Sequence, residues 1–209
     1  MNEIEHTRNR LIEAARHLFA RSGYRGASVR QITEEAGANL GAISYHFGSK
    51  DGLYQATLLS LIDPLIQRVT AAATEGTSPL DRIEGIMRAI SDHMLSSADV
   101  PCIMMHQMTM AGPLPEPSRR AQLEVRRLLE AQVVEGQRDG SIRHGPPHLL
   151  VLSIVAQPMY FGMAGRPLAE IHGMDLRDPD TREEFVSHAI AFARAGLAAS
   201  GTRNQPRKP

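Results

Sequence analysis

Three short amphipathic stretches, closed by Gly23, Gly37 and Gly48, fill residues 7–47, and they constrain this chain more than any other feature of it. In the first, Leu11, Ala14, Ala15, Leu18 and Phe19 fall at i, i+3, i+4, i+7 and i+8, a single apolar stripe that predicts a helix from about Thr7 to Arg21. The second opens on Ser28-Val29-Arg30-Gln31. A Ser cap with Gln three positions later is a capping box, and Val29, Ile32 and Ala36 then line one face. Only Ala38 and Asn39 separate Gly37 from the third stretch, where Asn39 is the expected N-cap and Leu40, Ile43 and Phe47 are expected to point inward. Gly48 breaks that helix, and Ser49 is placed to cap a fourth.

Two short helices joined by a turn near Gly37 have the layout of a helix-turn-helix. With Leu40, Ile43 and Phe47 inward, Asn39, Gly41, Ala42, Ser44, Tyr45 and His46 are left on or near the free face. That face is small and polar where it starts, which suits close approach to base edges, and Tyr45 and His46 can donate hydrogen bonds to phosphate. Helix N-termini at Ser28, Asn39 and Ser49 offer unpaired N–H groups and partial positive charge, with Arg30, Gln31 and Lys50 within a turn of them. The whole chain is neutral, with 23 basic and 23 acidic residues, but the distribution is uneven. Between Arg8 and Lys50 seven basic residues stand against three acidic ones, an excess of about +4 that attracts phosphate.

The rest of the chain reads as helix without strand. A fourth helix carries Leu53, Leu58, Leu61, Ile62, Leu65 and Val69; Pro64 either kinks it or starts a new segment after Asp63. A fifth starts at Ser78-Pro79, and a Met-rich helical stretch covers Val100 to Met110. After the turn-forming run from Gly112 to Pro117, helix is expected from Ser118 to about Asp139 and from about His148 to Met163. Residues 149–156 are apolar on nearly all sides, so both faces of that helix are expected to be buried. Residues 165–180 read as a long loop, and Thr181-Arg182-Glu183-Glu184 as a capping box opening a last helix. With 42% apolar residues, few aromatics and ten methionines, the chain is expected to be all-α. The expected division is a helix-turn-helix domain over residues 1–52, a helical ligand-binding and dimerisation domain over 53–200, and a disordered polar tail over 201–209.

The stretch LIEAARHLFARSGYRGASVRQITEEAGANLGAISYHFGSKDGL, from Leu11 to Leu53, resembles the DNA-binding domain of the TetR family. The resemblance rests on AARHLFARSGY, on Ser28-Val29-Arg30-Gln31-Ile32, and on Tyr45-His46-Phe47 followed by Ser49-Lys50. It implies an all-helical homodimeric repressor that binds a palindromic double-stranded operator and is released by a small-molecule effector. By position, Ser28, Arg30, Gln31, Tyr45, His46 and Lys50 would touch the DNA backbone or nearby bases, and Asn39, Leu40, Gly41 and Ser44 would enter the major groove. The chain departs from the family where many members have Lys at the position of Leu40, Thr at Ala42 and Tyr at Ser44; contact with thymine methyls is one substitute. More weakly, ANLGAISYHFGSKDGLY and SIVAQPMYFGMAGRPL resemble the CecR-like subgroup, which is associated with responses to toxic small molecules.

Candidate effector contacts are Met104, Met105, Met108 and, as polar groups in the same apolar segments, His106, Gln157 and Tyr160. Met110, Met159, Met163 and Gln107 share that setting, and ordinary core packing explains all of them equally well. Leu149, Leu152, Ile154, Ala156, Phe185, Ala189, Phe192 and Ala193 offer the last two helices as a dimer interface or as plain core.

Several classes fall away. No nucleophile–base pair, phosphate-cradling Gly loop or metal-ligand spacing is present, so neither enzyme chemistry, cofactor nor metal is expected. His144 and His148 are four apart, but Pro146 and Pro147 between them forbid regular helix. A lone Cys102 excludes an internal disulfide and fits a reducing cytoplasm, and no apolar run is long enough to span a membrane.

Overall fold

A computed structural model describes residues 3–199, and among them ten helices and no named strand. In chain order they are α1 (Glu3–Gly26), α2 (Val29–Glu35), α3 (Gly41–Phe47), α4 (Lys50–Ala72), α5 (Pro79–Leu95), α6 (Asp99–Thr109), α7 (Glu116–Asp139), α8 (Pro147–Met163), α9 (Gly165–His172) and α10 (Pro179–Leu197). The tail expected to be disordered lies outside the described residues. The chain forms two compact units. One runs up to Gln67 and takes in His93–Leu123; the other holds Arg68–Asp92 and the residues from Glu124 onward.

In the first unit, the stripe on α1 does what its period demands. Leu11, Ala15, Leu18 and Phe19 are buried against Ile32 and Ala36 of α2, Ala42 and Ile43 of α3, Leu53, Tyr54 and Leu58 of α4, and Ile103 of α6. Each of the leucine, isoleucine and phenylalanine side chains among them contributes roughly 1.5–3 kcal/mol by leaving water. The compact packing therefore runs past residue 52, because the first turns of α4 fill the same core. α1 is longer than its stripe predicts, and it bends at Gly23, whose φ of 68° a side chain would resist. There His106 of α6 lies against the glycine, and its Nε2 sits 3.1 Å from the Ala20 carbonyl oxygen. Near the other end of α6, Arg16 donates to Asp99 at 3.0 Å.

The second unit is built around Ile83, Ile86 and Met87 of α5, Leu129 and Val133 of α7, Leu150, Val151 and Ile154 of α8, and Val186 and Ala189 of α10. Polar bonds tie its helices together. Arg82 donates to Gln132 and to Glu135, both at 2.5 Å; Arg88 pairs with Glu183 at 2.9 Å; Arg194 reaches Asp81 at 3.2 Å and also pairs with Glu84. Phe161 and Phe185 meet edge to face at 4.8 Å.

Several local expectations are corrected. Residues 165–180 are not all loop: α9 forms because Pro167 falls in its first turn, where a missing N–H costs nothing. α10 is capped by Asp178, which accepts from the Thr181 N–H at 2.8 Å, with Pro179 at its first position, instead of by the Thr181–Glu184 box. α4 is one helix with Pro64 inside it, so no new segment starts after Asp63. α8 is not buried all round. Leu150, Val151 and Ile154 are inside, while Leu149 and Leu152 face out at 51% and 60% exposure. No single helix among the described residues is long and apolar enough to cross a membrane; only α8 and α9 taken together across their 72° bend approach that length.

Candidate nucleic-acid interface

The second and third helices are set by short-range chemistry. The Ser28 Oγ accepts from the Gln31 N–H at 3.1 Å, and the Gln31 side chain accepts from the Ser28 N–H at 3.0 Å, closing the expected capping box. Both residues remain exposed, so the cap does not remove them from solvent. Arg30 extends into solvent and pairs with Glu34 at 2.8 Å, which raises its pKa further above the ordinary range.

α3 sits in the protein with a phase different from the expected one. Ala42 and Ile43 are buried, and Phe47 packs partly on the core with the Arg8 guanidinium 5.5 Å from its ring centre. Leu40, expected inward, is 62% exposed, and Ala42, expected near the free face, is inside. The helix starts one residue later than supposed: Leu40 occupies the N-cap with no side-chain bond, and Asn39 is not the cap. The outward face is therefore Asn39, Leu40, Gly41, Ser44 and Tyr45, with Tyr45 at 74% exposure and His46 half-buried beside it at 4.9 Å between rings.

The start of α4 completes the surface. Ser49 Oγ accepts from the Gly52 N–H at 3.0 Å. At Gly52 an added Cβ would lie 2.1 Å from the Phe47 carbonyl oxygen, a backbone atom that cannot move aside, so this glycine lets α4 begin hard against the end of α3. Lys50, at the first position of α4, lies with its Nζ 4.6 Å above the Tyr24 ring, and partial burial lowers its pKa. Sequence reasoning missed Tyr24, Tyr54 and Gly52. The available signal was that, in a chain with nine Phe and Tyr residues and no Trp, Phe19, Tyr24 and Tyr54 all fall near the predicted helix-turn-helix.

The candidate effector contacts divide. Met104 (half-buried), Met105 and Met108 (exposed) and His106 (half-buried and engaged with Ala20) belong to α6 in the first unit. Gln157 and Tyr160 belong to α8 in the second. Tyr160 is exposed, while the Gln157 Oε1 is buried with no hydrogen-bond partner. Among the described residues no group of three or more His, Cys, Asp or Glu is placed to hold a metal.

Residues 11–57 match the family model for bacterial regulatory proteins of the tetR family. A similar curated protein is the HTH-type transcriptional repressor KstR2 of Mycobacterium tuberculosis, 31% identical over 87 residues, 42% of this chain and 44% of the relative. The matched region thus spans less than half of that relative's length. The structure of the ketosteroid transcriptional regulator KstR2 superimposes with a TM-score of 0.76 at 21% identity, over 92% of this chain and 95% of the other. Bacillus subtilis FadR in complex with stearoyl-CoA superimposes with a TM-score of 0.73 at 15% identity, over 90% and 98% of the two chains. These structural likenesses extend the shared fold beyond the helix-turn-helix, and residues 11–57 carry the region that the chain has in common with bacterial regulatory proteins of the tetR family.

Proposed function

We propose that this chain is a ligand-responsive transcription regulator, acting as a repressor, that binds a palindromic operator as a homodimer and is released by a small-molecule effector in the cytoplasm. The observation that carries the DNA-binding part is α3: Ala42 and Ile43 anchor it, and Asn39, Leu40, Gly41, Ser44 and Tyr45 are turned to solvent beside Lys50 and the capped start of α2. Residues 1–52 read DNA. Leu40 offers apolar contact to a thymine methyl; Ser28, Arg30, Gln31, Tyr45, His46 and Lys50 supply donors for phosphate or nearby bases.

Residues 53–200 bind the effector and the second copy. On α8 and α10 the exposed side chains Leu149, Leu152, Tyr160 and Phe192 are large and apolar, as a four-helix interface between two copies requires. The buried, unpartnered Gln157 Oε1 supports an effector with a hydrogen-bond donor, since such an oxygen is costly to leave unsatisfied. Among the structural neighbours, KstR2 is a ketosteroid transcriptional regulator and FadR is in complex with stearoyl-CoA, which supports a small-molecule effector. Tyr160 is a further candidate contact on α8, and Met104, Met105, His106 and Met108 are candidate contacts within the other unit, on α6.

The test is selection of bound fragments from the native genome by the purified chain, followed by a reporter assay and a compound screen for release. Recognition of a two-fold sequence with half-sites about 34–36 Å apart, or a small multiple, is the expected outcome. A chain that retains no duplex at low ionic strength is not a DNA-binding regulator.

A further inference from the structure

A line of contacts joins α6 to the start of α4 within the first unit. Gln107, buried at 8% exposure on α6, donates through Nε2 to the Tyr54 hydroxyl at 3.2 Å. Tyr54, on α4, is itself buried, and burial raises its pKa, so the phenol stays neutral. Its ring meets Phe19 edge to face at 4.8 Å and lies 4.9 Å from the ring of Tyr24. Tyr24 stands just beyond the Gly23 bend of α1, and the Lys50 ammonium rests 4.6 Å above its face. α6 is fastened to α1 at two places that precede Gln107, by Arg16 with Asp99 at 3.0 Å and by His106 with Ala20 at 3.1 Å.

Lysine is a flexible point charge, and its grip on a phosphate depends on how well its stem is held before contact. A ring under the ammonium supplies that hold. Tyr24 packs on the ring of Tyr54, and Gln107 holds the polar edge of Tyr54 by its hydrogen bond.

We propose that Gln107 is a positioning residue for DNA binding: by way of Tyr54 and Tyr24 it sets where the Lys50 ammonium lies. The inference rests on the DNA-binding function proposed above. It goes beyond that function by making a buried amide on α6, remote in sequence from the helix-turn-helix, a determinant of phosphate affinity.

The test uses the full chain in two measurements. The first, without DNA, is the NMR shift of the Lys50 ε-methylene, which the Tyr24 ring displaces upfield. Gln107→Leu and Tyr54→Phe, both close in shape to the originals, are expected to move it back toward the shift of a free lysine. The second is equilibrium binding to a mixed-sequence duplex at low ionic strength. Each variant should bind roughly threefold to tenfold more weakly, in the range of residues that act through neighbours. In a Lys50→Ala background the same changes should leave binding where Lys50→Ala alone puts it. An unchanged Lys50 signal overturns the positioning role, and so does an equal loss of binding with Lys50 absent. A wild-type chain that ignores the duplex overturns the DNA-binding function and this inference with it, whereas wild-type binding with an unmoved Lys50 signal overturns the inference alone.

Discussion

The outward faces of α3 and of the α8–α10 pair differ in kind. α3 has two turns, buries Ala42 and Ile43, and shows solvent a small, mostly polar surface with one leucine in it. α8 and α10 bury Leu150, Val151, Ile154, Val186 and Ala189, and still leave Leu149, Leu152, Tyr160 and Phe192 in water. A small polar face beside helix N-termini is suited to a ligand that is charged and hydrogen-bonding. Large apolar side chains held in water are suited to another protein surface. One chain thus carries two unsatisfied faces of opposite chemistry, and each calls for a different partner.

Two phenylalanines break or sharpen that contrast most directly. Phe19, 1% exposed and packed on Tyr24 and Tyr54, should cost about 3–5 kcal/mol when replaced by Ala, read as a drop in urea midpoint. A midpoint near wild type would mean that the first unit has no well-packed core. Phe192 is 63% exposed, and Phe192→Asp should leave the fold of a single copy intact while reducing the proposed two-copy particle to the mass of one chain in sedimentation. If the variant sediments like wild type, the α8–α10 face does not join copies.

Gly52→Ala should destabilise the first unit by about 1–3 kcal/mol, because the new methyl meets the Phe47 carbonyl. Wild-type stability there would show that the α3–α4 junction is looser than described. Lys50→Ala should weaken every duplex alike and make the salt dependence of log K shallower by about one phosphate's worth. A loss confined to one sequence would make Lys50 a base reader.

The smallest effect concerns acid. The Asp81 carboxylate accepts from Thr77, from the Ser78 N–H and from Arg194, which hold its pKa at about 2. A folded pKa below the unfolded value of about 3.9 adds stability that is fully present above it and is lost as pH falls toward 2. Asp81→Asn should therefore flatten the stability profile in that window by lowering stability at neutral pH, with the two proteins alike near pH 2. An unaltered acid limb would mean that this cluster does not titrate with folding.

Legibility followed the range of the interaction. The Ser28–Gln31 box could be read from four consecutive residues because both partners lie within one turn. The stripe on α1 could be read because five positions over-determine its phase. α3 was too short for that. In seven residues, Leu40, Ile43 and Phe47 make as good a stripe as Ala42, Ile43 and Phe47, and a shift of one residue in the cap turned Leu40 outward. α9 was hidden because Gly165 and Pro167 read as breakers, although a proline in a first turn breaks nothing. Of the candidate site, the polar face and Lys50 were legible, but the ring beneath Lys50 was not, because Tyr24 and Lys50 meet only across packed helices.

By itself the sequence determined the all-helical class, the helix-turn-helix and the Ser28 cap of α2, since these depend on period and on neighbours within a few residues. Only the tertiary structure decided which way Leu40 points, that α6 is fastened to α1, and that Gln107, Tyr54, Tyr24 and Lys50 lie in one line. Those outcomes depend on residues far apart in the chain competing for the same buried volume, and no local pattern encodes the result of that competition.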